Sequence, residues 1–322
     1  MRIAIVTDAW EPQVNGVVRT MKATKAELER MGHNVLVVSP DLYPNLPCPT
    51  YPEIRLAMAS AGSVGDRLAA FSPDAVHLST EGPLCLAARR SCLRHGWRFT
   101  SAYHTQFPDY FAARTGIDAG WVWPYFRWFH AASSAVLVST PSVRDGLRGH
   151  GIDHSVHWSR GVDLDAFVTE GDVGEREALF VRESEDGLEL LLRIPRLGER
   201  TLDLEGAGLV FLGALSGAEL AGSYAGSDVF VFPSRTDTFG LVMIEALASG
   251  TPVAAFPVSG PIDIVTPATG ALDNDLDAAI AAALTRNRDD CAYYGRTFTW
   301  TASATQFVSA LVPAIPPLAR AA

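Results

Sequence analysis

Short apolar runs alternate with amphipathic stretches along the first half of the chain. The runs "RIAIVTD", "HNVLVVSP", "DAVHLST", "RFTSAYHT" and "SAVLVSTP" are rich in β-branched residues and predict strands. The stretches between them predict helices, among them Thr20 to Met31 and "GPLCLAARRSCLRHG". Buried strands that alternate with helices are typical of a parallel, doubly wound sheet, whose ligands bind at the carboxyl ends of the strands. Asp8, Glu81 and His104 follow predicted strands and are expected at that edge.

The same alternation returns in the second half after an irregular stretch. Residues Thr169 to Glu205 are acidic and weakly periodic, apart from "GLELLLRI". Strands are then predicted in "LVFLG", "DVFVFPS" and "TPVAAFP", with a helix from Phe239 to Ser249 between the last two. The closing stretch "TFTWTASATQFVSALV" predicts an amphipathic helix. A second α/β domain is therefore expected, which agrees with a length of 322 residues.

Composition narrows the class of protein. Apolar residues make up 48% of the chain and charged residues 19%, which is typical of globular domains. The sequence contains no uninterrupted run of 18 apolar residues, so no membrane-spanning helix is expected. The first apolar run stops at Asp8 and is too short for a signal peptide. The four cysteines lack a metal-binding spacing, and we expect a cytoplasmic protein.

Charge is distributed unevenly between the two halves. Residues 1–150 carry 15 Lys and Arg against 12 Asp and Glu, whereas residues 151–322 carry 11 against 24. Both lysines, Lys22 and Lys25, lie in the first half. A chain with a net charge of -10 is a poor candidate for nucleic-acid binding.

One segment of the first half combines aromatic and basic residues. The stretch "WVWPYFRWFHAA" is rich in aromatic side chains, and Arg89, Arg90, Arg94 and Arg98 follow a nearby helical pattern. Two interpretations remain open at this stage. One is a peripheral contact of the first domain with the inner face of a membrane, and the other is a buried aromatic core with a solvated basic face.

Two carboxylates stand eight positions apart in "PSRTDTFGLVMIEALASGTPVAA". Asp237 precedes the predicted helix, whose first-turn N–H groups and positive dipole end favour an anion. Gly240 allows a ligand to approach the backbone closely. Asp237 is placed to accept hydrogen bonds from sugar hydroxyls, and Glu245 to bind a second diol such as a ribose. The alternative is an N-cap Asp followed by an ordinary helical Glu.

This stretch resembles the acid-x7-acid signature of retaining GT-B glycosyltransferases of family 4, and especially their bacterial GDP-mannose-dependent α-mannosyltransferases. Similarity extends to "MRIAIVTDAWEPQVNGVVRT", "DAVHLSTEGPLCLAARR", "TSAYHTQFPDY", "WSRGVDLDAF" and "FTWTASATQFVSALVP", and spans nearly all of the chain except roughly residues 168–208. The resemblance implies two doubly wound Rossmann-like domains facing across a cleft, residues 1–156 on the acceptor side and residues 157–296 on the nucleotide-sugar side. Residues 297–322 would form a helix that crosses back to the first domain.

The resemblance also implies roles for individual residues. Asp237 would contact the transferred sugar, and His104 would lie beside the reacting sugar. The donor would be bound by Gly16, Arg182, Phe239, Gly240, Leu241 and Glu245, and the acceptor side would include Asn15 and Glu81. No cofactor or metal is implied, and Asp163 and Asp165 in "GVDLD" are interpreted as structural. A nicotinamide-dependent oxidoreductase is disfavoured, because "TDAWEPQVNG" lacks Gly-x-Gly-x-x-Gly.

The chain departs from this family between residues 168 and 208, and the second domain is expected to lack about one strand-helix unit. Arg182 takes the place of the family's diphosphate-binding Arg, but Asp186 stands where Lys is expected. A carboxylate there would replace an attraction on the order of 4 kcal/mol per contact by a repulsion. Only "GAG" separates "RTLDLE" from "LVFLG", so "TLDLE" either pairs antiparallel or is not a strand. A true deletion and a frameshift both account for this segment.

The sequence therefore leads to the hypothesis of a retaining hexosyltransferase that moves mannose from GDP-mannose to a hydroxyl acceptor, for which a glycolipid is one candidate. Two alternatives stay open. One is a glycolipid glycosyltransferase that uses a UDP-sugar. The other is a weakened or non-catalytic descendant, because the diphosphate-binding segment is altered.

Overall fold

The computed structural model describes residues 1–48, 51–116, 118–167, 177–183, 189–195, 210–213, 215 and 217–315. The chain divides into two compact units, residues Met1–Ser159 with Ser303–Ala322, and residues Arg160–Ala302. The expected boundary after residue 156 lies close to this division. Asp186 and "TLDLE", which carried two of the sequence expectations, lie outside the described residues.

The first unit is built on a six-stranded parallel sheet. Its strands run in the order β2-β1-β5-β6-β7-β8, and a separate antiparallel hairpin pairs β3 with β4. The elements in chain order are β1 (Arg2–Val6), α1 (Gly16–Arg30), β2 (Asn34–Val38), β3 (Asn45–Cys48), β4 (Tyr51–Ala57), α2 (Ala61–Phe71), β5 (Ala75–Leu78), α3 (Pro83–Arg94), β6 (Thr100–Tyr103), α4 (Phe107–Thr115), α5 (Trp123–His130), β7 (Val136–Val138), α6 (Pro141–Gly149) and β8 (Ser155–His157). The five predicted strands are β1, β2, β5, β6 and β7.

Alternation along β1 shows why this sheet is covered on both faces. Ile3 and Ile5 pack in one cluster with Met21 of α1, whereas Ala4 and Val6 pack in another with residues of α2 and α3. Successive side chains of a strand point to opposite faces, so an uninterrupted apolar run requires a layer of helices on each side. The apolar pattern of the sequence thus produces the doubly wound arrangement.

The second unit contains six strands in the order β11-β10-β9-β12-β13-β14. Its elements are β9 (Glu177–Glu183), β10 (Glu189–Pro195), β11 (Val210–Gly213), α7 (Gly217–Ala225), β12 (Val229–Phe232), α8 (Leu241–Ala248), β13 (Val253–Ala255), α9 (Pro261–Ile264), β14 (Gly270–Leu272), α10 (Leu276–Ala283) and α11 (Arg288–Gly295). Strands β9, β12, β13 and β14 are parallel to one another. Phe230 and Phe232 pack on the α8 side, and Val229 and Val231 pack against α10.

Strand β10 lies in the stretch that was expected to be atypical, and it departs from the parallel arrangement of the sheet. It pairs antiparallel with β9, with Leu192 opposite Phe180, and also antiparallel with β11. The reason is the length of the chain between β9 and β10. Residues 184–188 connect them, and a parallel crossover needs about a dozen residues or more. Five residues are therefore too few for a parallel crossover, and the two strands pair antiparallel.

The last helix, α12 (Trp300–Ala310), packs on the first unit from Ser303 onward. Phe307 is fully buried in a cluster with Ile3, Ile5 and Trp158. Trp158 donates a hydrogen bond from Nε1 to Ser303 Oγ at 3.1 Å, and Ser303 Oγ donates to the carbonyl of Ser159. These contacts attach the end of the described chain to the first sheet. In the part of the chain that the structure describes, no helix has the length and apolar character needed to cross a membrane.

Candidate active site

The loop between β12 and α8 carries the first of the two carboxylates. Asp237 is half-buried, and its Oδ1 accepts a 2.8 Å hydrogen bond from the backbone N–H of Phe239. Phe239 is buried, and its ring meets Phe298 edge to face. The carboxylate therefore shapes its own turn while the phenyl ring anchors the loop to the core. An Asp in such a turn keeps further lone pairs for other donors.

Gly240 is the N-cap of α8 and has a φ of +77°. This left-handed conformation costs an L-residue about 1–2 kcal/mol, and glycine adopts it freely. Leu241 begins the helix, so the N–H groups of its first turn emerge directly beside the Asp237 turn. The predicted helix is confirmed, with its first residue two positions later than expected.

Glu245 lies in the second turn of α8 and is only 3% exposed. Every other residue from Val242 to Ala248 is also buried, and all of them except Glu245 are apolar. An ionised carboxylate in such a helix is costly unless partners compensate for the lost hydration. Packing alone would favour an apolar residue at this position, so a Glu here indicates a polar task.

Gly260 supports the Asp237 turn from the next loop, and no motif of the sequence singles it out. Its φ is +90°, and a Cβ built on it would lie 3.3 Å from the Phe239 nitrogen and 3.5 Å from the Asp237 carbonyl oxygen. Since β12 and β13 are adjacent parallel strands, the loops that follow them meet at the same edge of the sheet. Gly260 thus permits a close approach that fixes the backbone of residues 237–239.

Arg182 lies near the carboxyl end of β9, next to β12. Phe180 pairs with Val231, so Arg182 is two residues further toward the edge from which the α8 loop emerges. One loop and helix of the second unit carry most of the predicted donor-binding residues, namely Asp237, Phe239, Gly240, Leu241 and Glu245. Arg182 lies on the neighbouring strand toward the same edge.

In the first unit, Asn15 is the N-cap of α1. Its Oδ1 accepts a hydrogen bond from the Val18 nitrogen at 3.0 Å, and its Nδ2 donates to Gln13. Gly16 is the first residue of the helix, four residues earlier than predicted. A surface pocket of about 460 Å³ adjoins this turn and is lined by Glu11, Pro12, Gln13, Val14, Asn15, Val18, Arg19 and Lys22. The capping bond gives Asn15 a structural task, and the pocket places it beside space for a ligand.

Asp8 has a structural task that the sequence did not reveal. Its carboxylate, at the end of β1, accepts hydrogen bonds from the Leu84 nitrogen at 2.7 Å, the Cys85 nitrogen at 3.2 Å and the Thr80 hydroxyl at 2.8 Å. Asp8 therefore caps α3 from a distant part of the chain, in place of the usual side chain at the N-cap, which is Gly82. Burial raises the pKa of Asp8, against the lowering effect of these hydrogen bonds.

Glu81 follows β5 and contacts a buried histidine. Its Oε1 lies 3.2 Å from Nε2 of His130, and Nδ1 of His130 lies 2.8 Å from Ser101 Oγ. The hydroxyl of Tyr125 donates to the Glu81 carbonyl. Burial raises the pKa of Glu81, while the hydrogen bond with His130 acts in the opposite direction. Burial and the nearby carboxylates raise the pKa of Tyr125 to about 12, so its hydroxyl stays protonated.

His104 follows β6 directly and is half-buried. Its ring meets Trp158 edge to face, with 5.5 Å between the ring centroids. Trp158 is itself fully buried beneath Phe307. Because β1, β5 and β6 are parallel, the segments that carry Gly16, Glu81 and His104 all leave the same edge of the first sheet.

The Asp-x-Asp of "GVDLD" has a local structural role. Asp163 Oδ1 accepts hydrogen bonds from the Asp165 nitrogen at 3.1 Å and the Ala166 nitrogen at 3.4 Å. This is an Asx turn, which supports the structural interpretation of both residues. Within the described ranges, no group of three or more His, Cys, Asp or Glu side chains is arranged to hold a metal ion.

Comparison with known sequences assigns the family. Residues 14–166 match the model for Glycosyltransferase Family 4, and residues 187–290 match that for glycosyl transferases group 1. A GDP-mannose-dependent alpha-mannosyltransferase of Mycobacterium tuberculosis is 31% identical over 315 residues, covering 83% of this chain and 82% of the relative. The sulfoquinovosyl transferase SQD2 of Arabidopsis thaliana is 30% identical over 257 residues, covering 69% of this chain and 50% of the relative.

Solved structures show the same fold. Sucrose-phosphate synthase from Thermosynechococcus elongatus superposes with a TM-score of 0.73 at 19% identity, covering 96% of this chain and 97% of the other. Anabaena HepE, solved with UDP and glucose, superposes with a TM-score of 0.63 at 13% identity, covering 96% and 98%. The fold is that of the GT-B glycosyltransferases, which confirms the predicted fold class. The chain belongs to glycosyltransferase family 4 and is a glycosyltransferase.

Proposed function

We propose that the protein is a retaining glycosyltransferase that moves a mannosyl unit from GDP-mannose to a hydroxyl acceptor. The observation that carries the proposal is the pair Asp237 and Glu245, one in a turn fixed by Phe239 and Gly260, the other inside an apolar helix. The mannosyltransferase relative of Mycobacterium tuberculosis supports the choice of donor. The sequence similarity supports retention of configuration.

In this proposal the second unit binds the donor. The N–H groups of the first turn of α8, which begins at Leu241, favour the negative charge of the diphosphate, and Gly240 allows it to approach the backbone. Asp237 accepts hydrogen bonds from hydroxyls of the transferred sugar, and Glu245 accepts them from the ribose. Charge-assisted bonds of this kind contribute about 1.5–3 kcal/mol each. Arg182 adds positive charge at the end of β9. In the first unit, Gly16 contributes the N–H of the first residue of α1 to the donor.

The transfer needs neither a protein nucleophile nor a metal in this proposal. The bond between the anomeric carbon and the diphosphate oxygen breaks, and its electron pair stays on the diphosphate. The acceptor oxygen forms the new bond to the same face of that carbon, and its proton passes to the leaving diphosphate. His104 lies beside the reacting sugar, where Trp158 fixes the orientation of its ring. Asn15 and Glu81 lie on the acceptor side.

Product mass spectrometry tests the donor. The protein is incubated with GDP-mannose, UDP-glucose or UDP-sulfoquinovose, each with lipid and soluble hydroxyl acceptors. We expect a mass increase of one hexosyl unit with GDP-mannose. Products with UDP-sugars alone would overturn the choice of GDP-mannose and favour the alternative that the sulfoquinovosyl transferase relative suggests. Binding of GDP without product from any donor would favour a non-catalytic descendant.

We also propose that the first unit contacts the inner face of the cytoplasmic membrane, where a glycolipid acceptor would lie. Helix α5 and the turn before it bury Trp123, Phe126 and Phe129 but leave Trp121 81% and Trp128 47% exposed. Amphipathic aromatic rings of this kind favour the interface between water and lipid. Three arginines of the neighbouring segment are exposed to attract anionic headgroups, namely Arg90, Arg94 and Arg98.

Arg89 does not belong to this basic face. It is buried, stacks on Trp128 at 4.0 Å, and donates to the carbonyls of Phe129 and Trp128 at the end of α5. Flotation with vesicles containing anionic lipid tests the contact at low salt. We expect co-flotation that Trp121→Ser weakens, whereas Tyr293→Ser, at a residue 80% exposed on α11, does not. Wild-type protein that stays at the bottom of the gradient would contradict the proposed membrane contact.

A further inference from the structure

Arg235 is immobilised on an aromatic ring at the carboxyl edge of the second sheet. Its guanidinium carbon lies 3.8 Å above the centroid of the Phe256 ring. Arg235 is exposed in the loop after β12, and the buried Phe256 follows β13 directly. Phe232 and Ala255 are paired residues of these parallel strands, so the stack stands at the edge where both strands end. A stack of this type is attractive and limits the side chain to few rotamers.

Among the described residues of the second unit, three other arginines are held within the fold. Arg288 donates to the carbonyls of Ser227 and Ala225, and Arg286 donates to the carbonyl of Gly270. Arg160 is buried, which lowers its pKa to about 9. The sequence contains no lysine after Lys25. Arg235 differs from these three arginines, because it is exposed to a ligand and is held in place by an aromatic ring.

The stack and the Asp237 turn are held by the same supporting segment. The ring of Phe256 stacks against the guanidinium of Arg235, and Gly260 packs against the backbone of Phe239. One short loop, residues 256–260, thus positions the cation and the N–H groups that begin α8. A phosphate group at this edge would meet a guanidinium, which offers two parallel N–H donors, and the positive end of a helix.

We propose that Arg235 binds the diphosphate of the sugar nucleotide and stabilises the charge that the leaving diphosphate acquires. This inference rests on the proposed function. When the bond between the anomeric carbon and the diphosphate oxygen breaks, the electron pair remains on the diphosphate, and the acceptor proton is transferred to it. The guanidinium supplies its two N–H donors throughout and is not itself changed. Phe256 is then a positioning residue, which acts through Arg235.

Titration calorimetry with four nucleotides tests the proposal, using GDP, GMP, UDP and UMP on the full chain. The variants are Arg235→Gln, Arg235→Lys and Phe256→Leu. Arg296→Gln is the matched control, because Arg296 is exposed on the same unit and follows Gly295, which packs against Ala248 at the opposite end of α8. We expect Arg235→Gln to weaken binding of the preferred diphosphate by about tenfold or more at an unchanged melting temperature.

The comparison of diphosphate with monophosphate separates a contact from a general effect of charge. Arg235→Gln should reduce the preference for diphosphate over monophosphate, whereas Arg296→Gln should leave it unchanged. Arg235→Lys should restore part of the affinity, since Lys keeps the charge but not the planar pair of donors. Phe256→Leu should weaken binding by about two- to fivefold, because only the stack is lost.

The outcomes distinguish this inference from the function on which it rests. Wild type that binds the nucleoside diphosphate, with Arg235→Gln binding it equally well, would overturn the role of Arg235 and leave the proposed function intact. An equal loss in Arg235→Gln and Arg296→Gln would also overturn it. Wild type that binds none of the four nucleotides would contradict both the proposed function and this inference.

Discussion

The carboxylate of Asp237 accepts a 2.8 Å hydrogen bond from the backbone N–H of Phe239, two residues further along the chain. An Asn side chain keeps an oxygen acceptor at this position but loses the negative charge. We therefore expect Asp237→Asn to leave the melting temperature unchanged and to reduce transferase turnover by about tenfold or more. Asp237→Ala should lower both, because the turn loses its acceptor. Thermal unfolding and product formation measure the two effects, and full turnover by Asp237→Asn would return Asp237 to a purely structural role.

Substitution of Gly260 should damage the turn without touching either carboxylate. Gly260→Ala forces a side chain into a left-handed backbone 3.3 Å from the Phe239 nitrogen, so both stability and nucleotide affinity should fall. Gly32→Ala is the matched control, since Gly32 has a φ of +84° and, within the described part of the chain, no atom within 4 Å of a built Cβ. Gly32→Ala should lose about 1–2 kcal/mol of unfolding free energy, and Gly260→Ala at least as much because its Cβ also meets the Phe239 nitrogen, but only Gly260→Ala should bind nucleotide more weakly. Equal nucleotide affinity of the two variants would contradict the supporting role.

A phenyl ring in place of His104 should preserve the packing against Trp158 but not the turnover. The imidazole meets Trp158 edge to face, and Phe offers a similar aromatic surface there. We expect His104→Phe to keep the melting temperature of the wild type and to reduce turnover by about tenfold or more. The reason is that Phe cannot form the polar contact that the imidazole makes with the reacting sugar in this proposal. Steady-state kinetics beside thermal unfolding provide the check. A variant with lowered melting temperature and unchanged turnover would make His104 a packing residue.

The burial of Glu81 predicts a pH-dependent contribution to the free energy of unfolding. Burial raises its pKa above the ordinary value of 4.5, so the folded protein binds a proton more tightly than the unfolded chain does. This contribution is fully present below about pH 4.5 and is lost as the pH rises through the folded pKa. Urea unfolding of the wild type and Glu81→Gln from pH 4.5 to 7.5 isolates it. The wild type should lose stability relative to the variant as the pH rises, and a flat or opposite trend would contradict the assignment.

The central parallel strands were predictable because nearly all of their side chains are buried, as in β1, β5, β6, β7, β12 and β13. In β1 and β12 an unbroken apolar run leaves no polar face, and only a sheet covered on both sides accommodates such a run. The placement of Asp237 in a loop and of Glu245 in a helix was predictable from the apolar strand-loop-helix pattern around them, whereas their roles at a site stay predictions. The structure confirms that one loop and helix hold them together.

Contacts between distant segments were not predictable from local pattern. Asp8 caps α3, 76 residues away from Leu84, and a single carboxylate after a strand equally favours a ligand site. Gly260 and Phe256 act through the spatial neighbourhood of β12 and β13, which no sequence spacing encodes. The antiparallel β10 was missed because its apolar run "ELLLRI" does not specify direction, which the short connection to β9 determines.

The central claim is that the buried carboxylate of α8 binds a sugar nucleotide, and titration of Glu245→Gln with GDP-mannose, GDP and UDP tests it most directly. Gln has nearly the same shape, so the helix should fold, while the charge-assisted bonds to the ribose are lost. Glu219→Gln, at an exposed residue of α7, is the matched control. We predict that the wild type and Glu219→Gln bind GDP-mannose equally and that Glu245→Gln binds it about tenfold or more weakly, at an unchanged melting temperature. Equal affinity of all three proteins, or a loss confined to the melting temperature, would contradict the account.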